Sequence, residues 1–266
     1  MSKPVRCSGL AWLVALVLAL PLAAEAAGFV VVARHPHDSR AFTQGLLMAD
    51  GELYESTGRY GRSSLRRVAV DSGEVLARRD LDDTLFGEGL ARVGDRLIQL
   101  SWREERALVY RLADLEPLGT IPYRGEGWGL AWDGEHLVFS DGSATLRFLD
   151  PGSFAPVRTL AVTDGGKPVE RLNELEVIDG TLWANILGSD RIALIDLASG
   201  EVRRWLDLRA LRGKGFAWRR ARDLNGIAHD PASGHVYVTG KLWPVLYELR
   251  VDGVADAPGQ GGEVAR

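Results

Sequence analysis

Short apolar runs recur along the chain, separated by polar turns. Leu53-Tyr54-Glu55-Ser56, Leu97-Ile98-Gln99-Leu100, Leu137-Val138-Phe139-Ser140 and Leu182-Trp183-Ala184-Asn185 are the clearest. Alternating stretches follow at 65–70, 108–112, 146–150 and 192–197. Turns such as Ala49-Asp50-Gly51, Asp133-Gly134, Asp71-Ser72-Gly73 and Ala198-Ser199-Gly200 stand between them. Such dipeptides between β-type runs mark hairpins, because tight turns require positive φ. Ahead of these runs one frame returns: Phe42-Thr43-Gln44-Gly45-Leu46, Phe86-Gly87-Glu88-Gly89-Leu90, Gly127-Trp128-Gly129-Leu130, Leu172-Asn173-Glu174-Leu175 and Leu224-Asn225-Gly226-Ile227. The interval is roughly 40–50 residues, the period of propeller blades built from several short strands.

The pattern predicts an all-β chain folded as a five-bladed β-propeller over residues 27–251. The last unit carries only three strand-like runs. The missing fourth is available as Phe29-Val30-Val31-Val32-Ala33-Arg34, so the ring is expected to close by pairing this N-terminal strand with the last blade. The long final interval reflects an insertion at 208–222, rich in arginine, read as a solvated loop or short helix. A sixth repeat is not found.

Composition changes the picture mainly at the ends. Lys3 and Arg6 precede an apolar run ending at Leu22, and Ala24-Glu25-Ala26 supplies small residues at the cleavage spacing. Residues 1–26 are expected to be a signal peptide, and the product exported, periplasmic or secreted. The one cysteine, Cys7, would leave with it, removing thiol and disulfide chemistry from the mature chain. Residues 252–266 read as a flexible tail. With 266 residues and a net charge of −4, nothing suggests a nucleic-acid partner, and no membrane association is expected after cleavage.

In a propeller the first strand of each blade lines the central channel. Superposing the frames brings Gln44, Glu88, Trp128, Glu174 and Asn225 to one expected position at a channel mouth. Residues ending second strands, Trp102, Trp183 and Lys241, are expected to join them. Phe42, Phe86 and the indoles then form walls suited to a small, partly apolar ligand, whereas Trp132 and Trp243 are assigned to packing between blades. In such a pocket desolvation would raise the pKa of Glu88 towards a working range for proton transfer. Glu174 is read as a second carboxylate or as a hydrogen-bond acceptor for strand ends. Other chemistries lack their motifs. The five histidines show no His-Glu-x-x-His spacing, and no Gly-x-Ser-x-Gly elbow occurs. Gly125-Glu126-Gly127-Trp128-Gly129 leads into a strand rather than a helix, which argues against a dinucleotide loop.

Taken in order, these frames with Thr239-Gly240-Lys241 resemble the plant and bacterial glutaminyl-peptide cyclotransferases, from about Phe29 to Val251. The resemblance implies a five-bladed propeller that converts the N-terminal glutamine of peptides and proteins to pyroglutamate with release of ammonia. It implies Glu88 as the acid/base residue. It also implies Phe42, Gln44, Phe86, Trp102, Trp128, Asn173, Trp183 and Lys241 as substrate-binding positions, with no metal and no cofactor. A monomer acting on peptides or proteins that begin with glutamine is expected. Two other readings stay open on the residues alone: a metal-dependent lactone or sugar-acid hydrolase propeller, and a propeller that binds peptides without catalysis.

Overall fold

The computed structural model describes residues 28–255, so the expected signal peptide and most of the expected tail lie outside the described residues. Five four-stranded antiparallel sheets follow one another around an axis. Blade 1 comprises Thr43–Ala49, Glu52–Thr57, Ser64–Val68 and Val75–Asp80, and blade 2 Gly87–Val93, Arg96–Ser101, Arg106–Arg111 and Pro117–Pro122. Blade 3 comprises Leu130–Trp132, Leu137–Phe139, Thr145–Leu149 and Pro156–Ala161, and blade 4 Leu172–Ile178, Thr181–Ile186, Arg191–Asp196 and Val202–Asp207. Blade 5 contains Leu224–Asp230, His235–Gly240 and Val245–Val251, completed by the N-terminal strand Phe29–Pro36.

That closing strand runs antiparallel to the last one, with Phe29 opposite Val251 and Pro36 opposite Val245. The pairing satisfies backbone groups that two free edges would otherwise present to solvent. Side chains reinforce the seam: His35 Nε2 and His235 Nδ1 lie 2.7 and 2.6 Å from the Glu248 carboxylate.

The apolar positions of the strands fall into five clusters, each between neighbouring blades. Leu47, Tyr54 and Leu65 of blade 1 meet Leu90, Leu97 and Tyr110 of blade 2. Trp183 and Ile192 of blade 4 meet Ile227, Val238 and Trp243 of blade 5. Each fully buried aliphatic side chain contributes about 1.5–3 kcal/mol. Burial is thus shared around the ring, and no single blade has a core of its own.

The glycines of the recurring frame have a steric cause. A Cβ on Gly45 would lie 2.6 Å from the Leu90 nitrogen, and one on Gly89 would lie 2.5 Å from the Leu130 nitrogen. First strands of adjacent blades approach so closely at the axis that a side chain there has no room.

The insertion at 208–222 contains two single-turn 3₁₀ segments, Arg209–Leu211 and Phe216–Trp218. Leu211 is buried, and Trp218 meets Trp243 edge-on at 5.0 Å. It is therefore partly a cover over the blade 4–blade 5 cluster, while Phe216 projects into solvent with 86% of its surface exposed.

Candidate active site

The ladders define which residues are equivalent. In blade 2 Gly87 opposes Ser101 and Leu90 opposes Gln99; in blade 4 Leu172 opposes Ile186 and Leu175 opposes Ala184. Asn173 therefore corresponds to Glu88, and Glu174 corresponds to Gly89. This corrects the expected superposition of Glu174 on Glu88. Blade 4 lacks the frame's glycine, so matching the acidic letters displaced that blade by one residue.

Loop equivalence follows from four backbone hydrogen bonds. The amides of Gly58, Trp102, Leu187 and Lys241 donate to the carbonyls of Phe42, Phe86, Arg171 and Asp223, at 2.8–3.0 Å. Each bond hooks the residue that ends a second strand onto the residue that enters the first strand. Trp102 and Lys241 are thereby held at the mouth, as expected. Trp183 is not. It lies mid-strand, opposite Glu176 and Leu194, and its ring is buried in the blade 4–blade 5 cluster. Leu187, just beyond that strand, takes the position that Trp183 was expected to fill.

A cavity of about 220 Å³ opens at this mouth, lined by Gln44, Phe86, Glu88, Trp102, Trp128, Asn173, Leu187 and Lys241. Phe42 stands just behind, edge-on to Phe86 at 6.2 Å, with the Lys241 ammonium 5.2 Å from its ring centre. A larger and more polar hollow of about 520 Å³ is lined in part by Phe42. The smaller cavity is the better candidate for chemistry, because a buried carboxyl, a buried amine and apolar walls meet there.

Glu88 is 4% exposed and receives one hydrogen bond, from Gln44 Nε2 to its Oε1 at 2.7 Å. Its own backbone carbonyl accepts from Ser56 Oγ, which ties the first strand of blade 2 to blade 1. Burial pushes the Glu88 carboxyl well above the ordinary range; the Lys241 charge and the Gln44 amide oppose the rise, while Glu104 and Glu126 add to it. Burial pushes Lys241 down, with Glu88 and Asp223 opposing. Burial thus draws the proton affinities of the two groups towards each other.

Two residues that the sequence reading left out complete the site. Glu126 Oε2 accepts from both indoles, Trp102 Nε1 at 2.9 Å and Trp128 Nε1 at 3.1 Å. Its other oxygen accepts from Arg103 Nε at 2.9 Å, and that guanidinium lies 3.7 Å from the Trp102 ring centre. One carboxylate therefore orients two walls of the cavity. The recurrence of Gly-Glu-Gly, at Gly87-Glu88-Gly89 and again at Gly125-Glu126-Gly127, was the available signal. Leu187 is the other. Counting from the residue that enters each first strand, rather than matching aromatic letters, would have found it.

Glu174 lies on the axis and is 1% exposed. Its two oxygens accept from the Leu46 amide of blade 1 at 3.2 Å and the Ile227 amide of blade 5 at 3.0 Å. Asn225 donates to the Thr43 carbonyl at 3.0 Å, again across the blade 5–blade 1 junction. These two residues hold strands together and do not line the cavity. Among the described residues, no three His, Cys, Asp or Glu side chains converge as a metal-ligand set.

A closed propeller of five blades, with a desolvated carboxyl and a lysine facing each other's field at the channel mouth, defines a class of small-ligand enzyme. Comparison with known proteins narrows the class. A family model described as glutamine cyclotransferase matches residues 10–251. A glutaminyl-peptide cyclotransferase of Arabidopsis thaliana is 43% identical over 225 residues, covering 83% of this chain and 70% of its own length. The crystal structure of the Myxococcus xanthus glutaminyl cyclase is similar with a TM-score of 0.77 and 38% identity, over 86% of this chain and 97% of that one. The chain belongs to the glutamine cyclotransferase family.

Proposed function

We propose that the chain is a glutaminyl-peptide cyclotransferase, an acyltransferase of the aminoacyl type that closes the N-terminal glutamine of a peptide to pyroglutamate and releases ammonia. The observation that carries the mechanism is Glu88: a buried carboxyl that spends one acceptor site on Gln44 and turns towards an apolar cavity of one-residue size.

The substrate brings nucleophile and electrophile in the same residue, so binding has only to hold the curled conformer. Phe86, Leu187 and the two indoles pinned by Glu126 supply apolar faces for the glutamine side chain. Asn173 and Gln44 offer amide groups that fix its polar end. The α-nitrogen reacts as the free amine and bonds to the side-chain carbonyl carbon. Glu88 takes the proton that the nitrogen sheds. Lys241 stabilises the negative charge that develops on the carbonyl oxygen. Glu88 then returns its proton to the side-chain nitrogen, the carbon–nitrogen bond breaks, and ammonia departs. One carboxyl of raised pKa serves as base and then as acid. No step calls on a metal.

The test is a coupled ammonia assay on a glutamine-initiated peptide, with mass analysis of the product. Pyroglutamyl product with equimolar ammonia is expected, and activity should survive a chelator. Lactone hydrolysis with bound calcium, or peptide binding without ammonia, would move the chain to one of the other two readings. Export after removal of residues 1–26, and action as a monomer, complete the proposal. The N-terminal sequence of the exported protein and its mass in solution check them.

A further inference from the structure

The polar hollow adjoins the catalytic cavity through Phe42, which packs edge-on against Phe86 of the cavity lining. Phe42 lines the hollow, and the Lys241 ammonium stands 5.2 Å from the centre of the same ring. The guanidinium of Arg59, which also lines the hollow, stands 4.5 Å from that centre. Both cations therefore stand against one aromatic ring, a short distance apart. About three residues of extended chain cover such a distance.

Arg59 is set apart from the other arginines of this surface. Its φ is 95°, a left-handed conformation that non-glycine residues avoid and that recurs where function demands a fixed side chain. The conformation is held from two directions: Ser63 Oγ and the Arg62 amide both donate to the Arg59 carbonyl at 2.9 Å. Ser63 Oγ also accepts from the Gly87 amide at 3.0 Å, so the loop is anchored one residue before Glu88. The side chain is half-buried, yet it forms no ion pair among the described residues. The neighbouring cations are occupied: Arg40 and Arg66 hold Asp38, and Arg78 holds Asp80. Arg62, exposed and likewise outside any ion pair among the described residues, lines the same hollow, where Asp83 is the acid left over.

A guanidinium with several donors, fixed in place beside open space, is complementary to a carboxylate, whose two oxygens match the fork. We propose that this hollow is an anionic subsite, in which Arg59 receives a carboxylate that the substrate carries just beyond the cyclising glutamine. The inference rests on the cyclotransferase reading and sharpens it: preferred substrates are peptides with an acidic second or third residue, or with a chain-terminal carboxylate equally close.

The test is kcat/KM for ammonia release from Gln-Glu-Ala-amide, Gln-Ala-Glu-amide, Gln-Ala-Ala-amide and Gln-Lys-Ala-amide, and from Gln-Ala as the free acid. The wild-type enzyme should prefer its best carboxylate-bearing peptide over the lysyl peptide by roughly tenfold, the scale of one charge-assisted hydrogen bond. That preference should shrink as salt is raised. R59G suits the left-handed backbone and should bring the acidic peptides down towards the neutral one, while R59E should invert the order. The free acid and the two glutamyl positions tell whether the carboxylate comes from the chain end or from a side chain. Equal wild-type rates for acidic and lysyl peptides, or a preference that outlives R59G, overturn the subsite and leave the cyclotransferase reading intact. If no glutamine peptide releases ammonia, that reading falls and the subsite falls with it.

Discussion

Glu88 and Glu174 are both glutamates on first strands, both nearly inaccessible, and both held above the ordinary carboxylate range chiefly by burial. They differ in what occupies their oxygens. Glu174 receives backbone amides from blades 1 and 5, so its lone pairs are committed to closing the ring. Its neighbour Glu176 adds to the rise in pKa, and the two amides oppose it. Glu88 receives one side-chain amide, from Gln44, and keeps the remainder for the cavity. A raised pKa therefore does not by itself distinguish a candidate catalyst from a strut. Uncommitted hydrogen-bonding capacity next to open space is what sets Glu88 apart.

The contrast can be broken by substitution. The largest expected effect is on turnover: Glu88→Gln should lower kcat by about 100-fold or more while leaving the melting temperature close to wild type. Near-normal kcat in that variant would remove Glu88 from the chemistry. Glu174→Ala should do the reverse, destabilising the fold by about 2–5 kcal/mol because two buried amides lose their acceptor. An unfolding curve that matches wild type would show the axis does not need that carboxylate. Glu126→Gln probes Glu88 indirectly. The Glu126 charge helps raise the Glu88 pKa, and the proposed mechanism uses the ionised fraction of Glu88 as its base. Removing that charge should move the acid limb of the kcat/KM profile to lower pH, with KM rising as the two indoles loosen. A limb that stays where it was sinks this coupling.

The smallest effect concerns stability against pH. A carboxyl with a raised folded pKa keeps its proton while the unfolded chain releases one, so it costs stability as pH rises above the ordinary carboxylate value. Denaturant unfolding at about pH 5 and about pH 8 should therefore show a shallower decline for Glu88→Gln than for wild type. An unchanged or steeper decline would mean that Glu88 is not a neutral buried acid in the resting enzyme. A separate network works with the opposite sign. Glu55 is buried, and despite that burial Arg66 and His37 hold its carboxyl down to about 2. Its contribution is present above the ordinary carboxylate value and lost as pH falls towards about 2.

Most of the site was legible because its position is tied to a repeat. Gln44, Glu88 and Trp128 sit beside a glycine that packing at the axis demands, so periodicity located them; Asn173 came from the family resemblance, because the repeat alone put Glu174 in its place. Trp102 and Lys241 were found by strand ends. Trp183 was not, because a buried indole in mid-strand and an indole at a cavity wall have the same sequence signature: an aromatic in a β run. Only the ladder, with its two-residue alternation, tells which face it takes. Glu126 stayed hidden for another reason. Its role depends on two indoles from two blades reaching one carboxylate; the repeated Gly-Glu-Gly marks the residue, but not that meeting.

Local chemistry in the chain was enough to determine the turns, the short strands of the five blades and the spare strand at the N-terminus that closes the ring, because hairpin φ values and two-residue alternation are properties of neighbours along the backbone. The close approach of the first strands was also written there, as glycine at the frame position of four blades out of five. What the tertiary structure decided is how the polar residues were divided between tasks. The same glutamate side chain was left facing the cavity at the mouth or tied across the axis according to which amides lay within reach. That reach is set by the packing of blades far apart in sequence.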